Sequence, residues 1–449
     1  MEQNRSPIAL GTESVWRLLL QYAIPSVIAM TASSLYNIID SIFIGQGVGP
    51  LAISGLAITF PLMNLSAAFG TLVGVGGATL MSLRLGQKDY SSANQILGNS
   101  FVLNILFGLI YTVIVLLFLN PILYFFGASS ETIPYAREYM VVISLGNFIT
   151  HLYFGQNAML RATGDPKKSM YLTIGSVIIN IIFAPLFIYG FKWGIRGAAL
   201  ATIIAQASML IVQIKIFSNK KSFIHLQKGI FKLKRKIVVD SLSIGMAPFL
   251  MNAVSCVIVI LINQGLIRYG GDFHVGAYGI INRFAFLFVM IIMGLNQGMQ
   301  PIAGYNYGAK QTDRVNKVLK YTVLLATGVG TLGFLISEFF PHAVASIFTT
   351  DQTLIKLAVP GLQIVFLFYP IIGFQMVTSN FFQSIGQPKK AIFMSLSRQL
   401  IFLLPGLLIL PQYFGVNGIW YSLPVADLLS SIIAVYMLTT QYRKSTIKL

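Results

Sequence analysis

Charged residues are scarce in this sequence of 449 residues. Asp, Glu, Lys and Arg together make up 10% of the chain, whereas hydrophobic residues make up 55%. A soluble globular domain carries roughly 25% charged residues, so this composition indicates a polytopic membrane protein. The chain has one cysteine, Cys256, inside a hydrophobic run. We therefore expect neither a disulfide framework nor a cysteine-based metal site.

Several catalytic signatures are also absent. The sequence has no GxxxxGK[ST] phosphate loop, no HExxH metal motif and no GxSxG nucleophile motif. Its polar connectors are too short to fold a catalytic domain. We expect no enzyme activity, no cofactor and no metal, and any energy for work must come from an ion gradient. A membrane potential supplies about 2.3 kcal/mol per charge for each 100 mV.

About twelve apolar runs have the roughly 20 residues that a membrane-spanning helix needs. Most of the 31 Lys and Arg residues lie in the connectors on one side of these runs. By the positive-inside rule that side is cytoplasmic, and an even number of spans places both termini there. The net charge of +18 is then explained by topology and not by nucleic-acid binding. We expect a multi-pass membrane protein, whose first run is retained and not cleaved as a signal peptide.

The sequence repeats itself weakly, at a nearly constant offset close to half of its length. The matched landmarks are Pro25 with Pro248, Gly86–Lys88 with Gly308–Lys310, Gly164–Lys168 with Gly386–Lys390, and Gly194–Gly197 with Gly415–Gly418. This pattern predicts an all-α fold of two six-helix bundles related by a pseudo-two-fold axis along the membrane normal. The predicted parts are an N-terminal lobe (1–217), a basic connector (218–236) and a C-terminal lobe (237–449). Two such lobes around a central cavity suit alternating access.

The connector interleaves lysines with Phe223, Ile224, Ile230 and Phe231. A basic amphipathic segment of this kind is typical of chains that lie on an anionic membrane surface. It could equally be a plain tether between the two lobes.

The first apolar run carries an acidic residue, Asp40. Burying a carboxylate in hydrocarbon costs at least ~2.5–3.5 kcal/mol, so the group needs a partner, a cavity or a proton. At helical spacing Asp40 lies near Tyr36 and Asn37. Either Asp40 is a structural acid satisfied by neighbouring helices, or it is a proton or cation site. Its repeat counterpart, Asn263, carries no charge.

Further polar residues follow helical spacing in other runs. His151 and Asn157 lie in the fourth run, Asn180 in the fifth and Thr202 in the sixth. They could line one pocket with Asp40 or could simply bond neighbouring helices to each other. His151 in particular could be a proton relay or a hydrogen-bonded core histidine.

The second half has Arg283 in the eighth run and, in addition, two embedded charges of opposite sign, Arg398 in the eleventh run and Asp427 in the twelfth. They could form a buried ion pair or a second proton or substrate site.

Several motifs occur together in an order that resembles a known family. They are the stretches Tyr36–Asp40, Gly86–Asp89, Leu160–Pro166, Asn180–Pro185 and Gly194–Ala199. The sequence resembles the multidrug and toxic compound extrusion (MATE) family over essentially its whole length, especially the DinF-type and MepA-type members. The resemblance implies twelve helices in two bundles and the antiport of amphiphilic, usually cationic drugs and dyes against H⁺ or Na⁺.

The resemblance also implies roles for individual residues. Asp40 corresponds to the acid that couples transport to the ion, with Tyr36, Asn37, Asn157, Asn180, Ala198 and Thr202 forming the polar network around it. Many members carry a second acid immediately before the fifth-helix proline, where this chain has Ala184. One carboxylate fewer disfavours a desolvated Na⁺, which requires several oxygen ligands and compensating charge. We therefore expect H⁺ coupling in preference to Na⁺ coupling.

A cavity for flat cations would use aromatic and thioether side chains. The candidates near midspan or near polar residues are Met30, Met63, His151, Phe154, Met290, Met293, Arg398 and Asp427. The expected partners are amphiphilic cationic drugs or dyes and membrane lipids, and the chain is expected to be a monomer. A flippase for a lipid-linked precursor is the alternative transporter, and a channel or a purely structural membrane protein is the alternative from another class.

Overall fold

The computed structural model describes residues 8–446, without the side chains of residues 50, 272 and 442–446. Within this part the regular secondary structure is helical and no strand occurs. The first half contains α1 (Ala9–Thr12), α2 (Val15–Gly47), α3 (Pro50–Gly86), α4 (Tyr90–Leu117), α5 (Leu119–Phe125), α6 (Ile133–Leu145), α7 (Asn147–Ala162), α8 (Pro166–Pro185), a π-helical extension (Leu186–Gly190) and α9 (Gly194–Phe217). The second half contains α10 (Arg235–Gly270), α11 (Asp272–Gly308), α12 (Thr312–Phe339), α13 (Pro341–Phe348), α14 (Gln352–Phe366), α15 (Tyr369–Ser384), α16 (Pro388–Leu396), a π-helical segment (Ser397–Leu403), α17 (Leu404–Phe414) and α18 (Val416–Thr446).

The predicted all-α polytopic fold is confirmed. Ten helices in the described part are each long and apolar enough to cross a membrane, and the pair α14 and α15, bent by 52°, makes an eleventh span. The fourth and tenth spans, predicted as continuous runs, are each divided. The fourth divides at Gly146, and the tenth divides immediately before Tyr369 and Pro370. A proline has no backbone N–H and disfavours helical geometry in the residue before it.

The backbone repeats itself between the two halves, at the offset that the sequence landmarks share. Gly49 and its counterpart Gly271 both have positive φ and open the second long helix of their half. Lys88 and its counterpart Lys310 have φ of 59° and 58°. The break at Gly146 has its counterpart at Phe368. We call α2–α9 the first lobe and α10–α18 the second lobe.

The two lobes meet mainly along three helix pairs, α2 with α11, α3 with α10 and α3 with α11. At several glycines the backbones of the facing helices are so close that no side chain fits between them. A Cβ atom on Gly86 would overlap the carbonyl oxygen of Tyr305, and one on Gly308 would overlap the carbonyl oxygen of Leu83. These two contacts are repeat counterparts, since Gly86 corresponds to Gly308 and Leu83 corresponds to Tyr305. A Cβ on Gly76 would likewise overlap the backbone of α10. We call this set of backbone contacts the glycine seam.

Side-chain hydrogen bonds reinforce the same region. Gln300 on α11 donates to the Thr79 hydroxyl on α3 at 2.7 Å. Arg314 on α12 donates to the carbonyl oxygens of Leu10 and Glu13 at 3.0 and 2.6 Å, which attaches α1 to the second lobe. These residues lie toward the ends of the helices where the Lys- and Arg-rich connectors are found. We call that end of the molecule the basic end, and it is where the lobes are joined.

The connector between the lobes spans residues 218–234, since α9 ends at Phe217 and α10 begins at Arg235. It is an irregular segment bound to the first lobe by side-chain amides of α4. Asn99 donates to the carbonyl oxygens of Ile230 and Lys232 at 3.1 and 3.0 Å. Ile230 and Ile224 are buried, whereas Phe231 is exposed. Its apolar residues therefore divide between the lobe interior and the surface. The two termini, predicted to lie on the cytoplasmic side, fall outside the described residues.

The glycine seam leads to a stability prediction. Gly86→Ala should lower the stability of the purified chain by about 1–3 kcal/mol, because the added methyl group cannot be accommodated against the Tyr305 backbone. The measurement is thermal unfolding in detergent. Gly328→Ala on α12 is the matched control, since a Cβ there meets nothing within 4 Å. Equal unfolding temperatures for the two variants would contradict the seam.

Candidate functional site

Asp40 lies in the half of α2 remote from the basic end. Its side chain is buried, with the residue 5% exposed. Oδ1 of Asp40 has no hydrogen-bond partner among the described residues. A buried carboxylate oxygen without a donor is costly in a membrane, and a proton or a cation on the carboxylate would remove that cost.

Beside Asp40, a closed set of hydrogen bonds converges on the hydroxyl of Thr202. Thr202 donates its one hydrogen to the carbonyl oxygen of Ala198 at 3.2 Å. It accepts from the Asn180 amide at 3.1 Å, and Tyr36 lies 2.7 Å away. Either hydroxyl can be the donor in that contact, and Tyr36 donates when the Thr202 hydrogen points to Ala198. The phenol of Tyr36 is thereby committed to Thr202, and α2, α8 and α9 are tied together one turn from Asp40.

Tyr139 lies near this site and was not singled out from the sequence. It is on α6, 2% exposed, and lies within electrostatic range of both Asp40 and Tyr36. Nothing in the sequence distinguishes Tyr139 from the other tyrosines, because its place depends on the packing of α6. Ala184, the position before the fifth-span proline, is fully buried and contributes no polar group. Asp40 is therefore the one acid among the residues described at this site.

Two residues predicted to belong to the network lie elsewhere. Asn37 is exposed and donates to the carbonyl oxygen of Ser33 on its own helix at 3.0 Å. Asn157 faces a separate set of groups nearer the basic end, where it donates to Thr173 at 3.0 Å and accepts from Arg161 at 3.3 Å. Helical spacing alone cannot tell which neighbour a side chain faces. Two residues three positions apart on a helix point in directions that differ by only about 60° when viewed along the helix axis. The functional roles of Asn37 and Asn157 stay predictions.

His151 belongs to another buried cluster, between α3 and α7. Its Nε2 lies 3.2 Å from the Ser66 hydroxyl and 3.3 Å from the Asn147 amide nitrogen. Ser66 also donates to the Asn147 oxygen at 2.5 Å. Nδ1 of His151 has no partner among the described residues. This geometry is that of a hydrogen-bonded core histidine, which was one of the two predicted interpretations.

The predicted cavity residues do not form one group. Met30 accepts a hydrogen bond from Gln297 of the second lobe at 3.2 Å, between the two lobes. Met63 contacts the Thr59 hydroxyl within its own helix at 3.8 Å. Met290 and Met293 are half-buried on α11, and Phe154 is exposed. Met30 and the two methionines of α11 lie on the helices that join the lobes, whereas Phe154 lies on the surface.

In the second lobe the two embedded charges form an ion pair. Nε of Arg398 lies 2.6 Å from Oδ1 of Asp427, whose side chain is 2% exposed. Arg398 belongs to the π-helical segment Ser397–Leu403, and Tyr278 and Tyr369 lie within electrostatic range. Asp427 therefore differs from Asp40, since it has a counter-charge. Among the described residues there is no group of three His, Cys, Asp or Glu side chains that could hold a metal ion.

The ion pair generates a double-mutant prediction. Asp427→Leu alone should destabilise the second lobe by about 3–5 kcal/mol, because it leaves the Arg398 charge uncompensated. The combined change Asp427→Leu with Arg398→Met should recover most of that loss. Thermal unfolding of the single and double variants in detergent measures both effects. Additive losses in the double variant would show that the two side chains do not act as a pair.

Comparison with known proteins supports this architecture. A sequence model of the MatE family matches residues 25–186 and 243–408, one segment in each lobe. The multidrug export protein MepA of Staphylococcus aureus (strain MSSA476) is 30% identical over 439 residues, covering 97% of this chain and 96% of the relative. MepA of Staphylococcus haemolyticus (strain JCSC1435) is 28% identical over 434 residues, covering 97% and 95%.

Solved structures show the same fold. A MATE family transporter in an outward-facing conformation superimposes with a TM-score of 0.92 at 24% identity, over the full length of both chains. A transporter of the MOP superfamily from Pyrococcus furiosus gives a TM-score of 0.92 at 23% identity, also over both full lengths. Its description states that the reverse polarity of its binding pocket suggests a different function. At these identities the structural likeness shows the fold alone.

The family match spans both lobes and agrees with the duplicated helices, the joined basic end and the motifs around Asp40. The chain belongs to the MatE family of multidrug and toxic compound extrusion proteins.

Proposed function

We propose that this chain is a secondary active transporter that exports amphiphilic, mainly cationic compounds in exchange for H⁺ by alternating access. Two observations support the reaction class. The curated relatives with near full-length coverage are named multidrug export proteins, and the fold is that of MATE transporters. The observation that carries the coupling is Asp40, a buried carboxylate whose Oδ1 has no donor among the described residues.

The surroundings of Asp40 favour a proton over Na⁺. A sodium ion would require several oxygen ligands and more negative charge than one carboxylate provides. Oxygens near Asp40 belong to hydroxyl and amide groups of Tyr36, Thr202 and Asn180, and the Thr202 hydroxyl is saturated by its three hydrogen bonds. Ala184 provides no ligand. A single proton neutralises Asp40 without any further ligand.

The position of the glycine seam indicates which conformational state of the proposed transport cycle this structure corresponds to. The close backbone contacts lie toward the basic end, and Asp40 lies in the remote half of its helix. We assign the basic end to the cytoplasm by the positive-inside rule, so this arrangement corresponds to a state closed toward the cytoplasm. Alternating access then requires the seam to open, and the protonation of Asp40 must favour one state over the other.

We propose that the substrate binds between the two lobes, on the side of the glycine seam that faces away from the basic end. Half-buried methionines of α11 and Met30 offer soft, polarizable surface to flat cations, and one acid provides the complementary charge. The chain is proposed to act as a monomer in a bacterial cell membrane, in contact with lipids. A flippase for a lipid-linked precursor remains the alternative, because the same fold occurs in a transporter described as having a different function.

The first test of this function is the loss of coupling in Asp40→Asn. In proteoliposomes with an imposed pH gradient, the native chain should drive a fluorescent cationic dye against its concentration gradient. Asp40→Asn should abolish this accumulation, because a side-chain amide has no ionisable form in this pH range and cannot alternate between a charged and a protonated state as a carboxyl group does. Asp313→Asn, the same chemical change at an exposed position of α12, is the control and should transport normally. Dye accumulation by Asp40→Asn would refute the role of Asp40.

The second test separates the coupling ions. A pH gradient alone should support dye accumulation, whereas a Na⁺ gradient at equal pH should not. The physical reason is that the site offers one carboxylate and no second acid. If the Na⁺ gradient alone drives accumulation, the inference from Ala184 is wrong. If neither gradient moves dye, the flippase becomes the better proposal.

A further inference from the structure

The connector between the two lobes carries a large excess of positive charge. Seven basic side chains in it or directly after it are exposed, namely Lys220, Lys221, Lys228, Lys232, Lys234, Arg235 and Lys236. No Asp or Glu occurs between residues 218 and 239, and none of the ion pairs between described residues involves this segment. The nearby acids are Asp89, within electrostatic range of Lys234, and Asp240, one turn after Lys236. The segment therefore keeps a net positive charge.

The backbone of the connector is held in place on α4. Gln95 donates to the carbonyl oxygens of Ile230 and Lys232, both at 2.8 Å. The fit at Gly98 is so close that a Cβ atom there would overlap the carbonyl oxygen of Ile230. A plain tether between two lobes needs length and not a fixed path. Here the fixed path determines which connector side chains turn inward and which face outward.

The outward-facing side chains include large apolar ones. Ile230 is 4% exposed, whereas Phe231 and Leu233 are 42% and 46% exposed. Because Ile230 occupies the inward position and the backbone is fixed, Phe231 and Leu233 are left outside the lobe. They alternate with the exposed Lys232 and Lys234, so that apolar and basic groups are interleaved. That combination is typical of segments that lie at a membrane interface.

Phe231 lies at the edge of the lipid-facing part of the first lobe. Its ring packs edge to face on Phe101 of α4, at 5.8 Å between ring centroids. The exposed large apolar side chains of α4 begin at Leu106 and continue to Leu117, and on a membrane-spanning helix such side chains face lipid. Phe101 precedes Leu106 by five residues, or about 8 Å along the helix axis. Phe231 is therefore placed where aromatic residues meet the boundary between headgroups and hydrocarbon.

The amides that hold the connector are not repeated in the second lobe. Gln95 and Asn99 correspond to Lys317 and Tyr321, and the ring of Tyr321 packs on Trp16 at 5.3 Å between centroids. The basic end of the second lobe nevertheless has exposed lysines, since Lys317 and Lys320 are both exposed on α12. These two lysines provide a matched control for the connector.

We propose that the connector binds anionic phospholipid at the basic end, with Phe231 and Leu233 inserted at the edge of the hydrocarbon and Lys228 and Lys232 on the headgroup phosphates. Charge complementarity selects this partner, since a lysine near an anionic bilayer is worth roughly a fivefold gain in binding. The amides of α4 transmit the attachment to the first lobe, because they hold the connector backbone. The first lobe is thereby fixed to the membrane surface, whereas the second lobe is free of this constraint.

Site-directed fluorescence tests the lipid contact. Cys256→Ser removes the native thiol, and the exposed position next to Lys228 receives a bimane label through Gln227→Cys. The full chain is reconstituted in phosphatidylcholine vesicles that contain a small fraction of either phosphatidylglycerol or phosphatidylcholine bearing the same nitroxide on its acyl chain. The nitroxide phosphatidylglycerol should quench the bimane roughly fivefold more efficiently than the nitroxide phosphatidylcholine.

Charge variants assign the preference to the connector. Lys228→Gln with Lys232→Gln should bring the two quenching efficiencies close together, whereas Lys317→Gln with Lys320→Gln should leave the difference intact. Equal quenching by the two lipids before any lysine is changed would overturn the proposal and identify the connector as a plain tether. An equal loss of the difference in both pairs of variants would also overturn it, because the attraction would then belong to the basic end as a whole.

A second label tests the insertion. Bimane attached through Phe231→Cys should be protected from aqueous iodide once the chain is in vesicles, because this position lies at the edge of the hydrocarbon. Bimane attached through Gln227→Cys should stay accessible to iodide. Equal quenching of the two labels by iodide would contradict the insertion of Phe231 and overturn the proposed mode of binding.

Discussion

In hydrocarbon, each polar group must find a partner within the protein, and this constraint organises the structure. The long helices satisfy their own backbone groups, so what remains to be arranged is a small number of polar side chains. Thr202 uses its hydrogen and both acceptor positions, and Arg398 neutralises Asp427. Asp40 is different, since one of its carboxylate oxygens is buried without a donor among the described residues. Other buried polar atoms in the described part also lack a partner, among them Nδ1 of His151, but Asp40 is an acid within a membrane-spanning helix, where gaining or losing a proton or cation has a large energetic effect.

The second organising feature is the close approach of four helices at the basic end. Lipid tails are as apolar as leucine side chains, so helices in a membrane associate through tight packing and not through the hydrophobic effect. Gly86 and Gly308 allow backbone-to-backbone contact between the lobes, and the duplication provides this contact twice. A contact made of backbone atoms depends strongly on geometry, because it cannot adapt by changing rotamers. Such an interface is either closed or open, which is the property that a two-state transporter needs.

The duplicated lobes are alike in backbone and unlike in chemistry. The counterpart of Asp40 is the uncharged Asn263, and the counterpart of Asn99 on the connector-binding helix is Tyr321. The first lobe has the network around Thr202, whereas the second has an ion pair within a π-helical segment. The two lobes are therefore copies of one scaffold, and only the first carries an acid without a counter-charge at this position.

The membrane class, the number of spans to within the broken pairs, the duplication and the presence of an embedded acid at Asp40 could all be predicted from the sequence. They follow from hydrophobic length, from a repeated order of glycines and prolines, and from the cost of a charge in hydrocarbon, all of which are local or periodic properties. Which polar residues share a site depends instead on the tertiary structure. Asn37 and Tyr36 are adjacent in sequence, yet Tyr36 bonds α9 and Asn37 bonds its own helix. Tyr139 lies near the site, Asn157 belongs to a separate cluster, and the glycine seam brings together helices from opposite halves of the chain. The reason is that the rotation of each helix about its axis is set by packing against its neighbours, and the periodicity of one segment does not encode those neighbours.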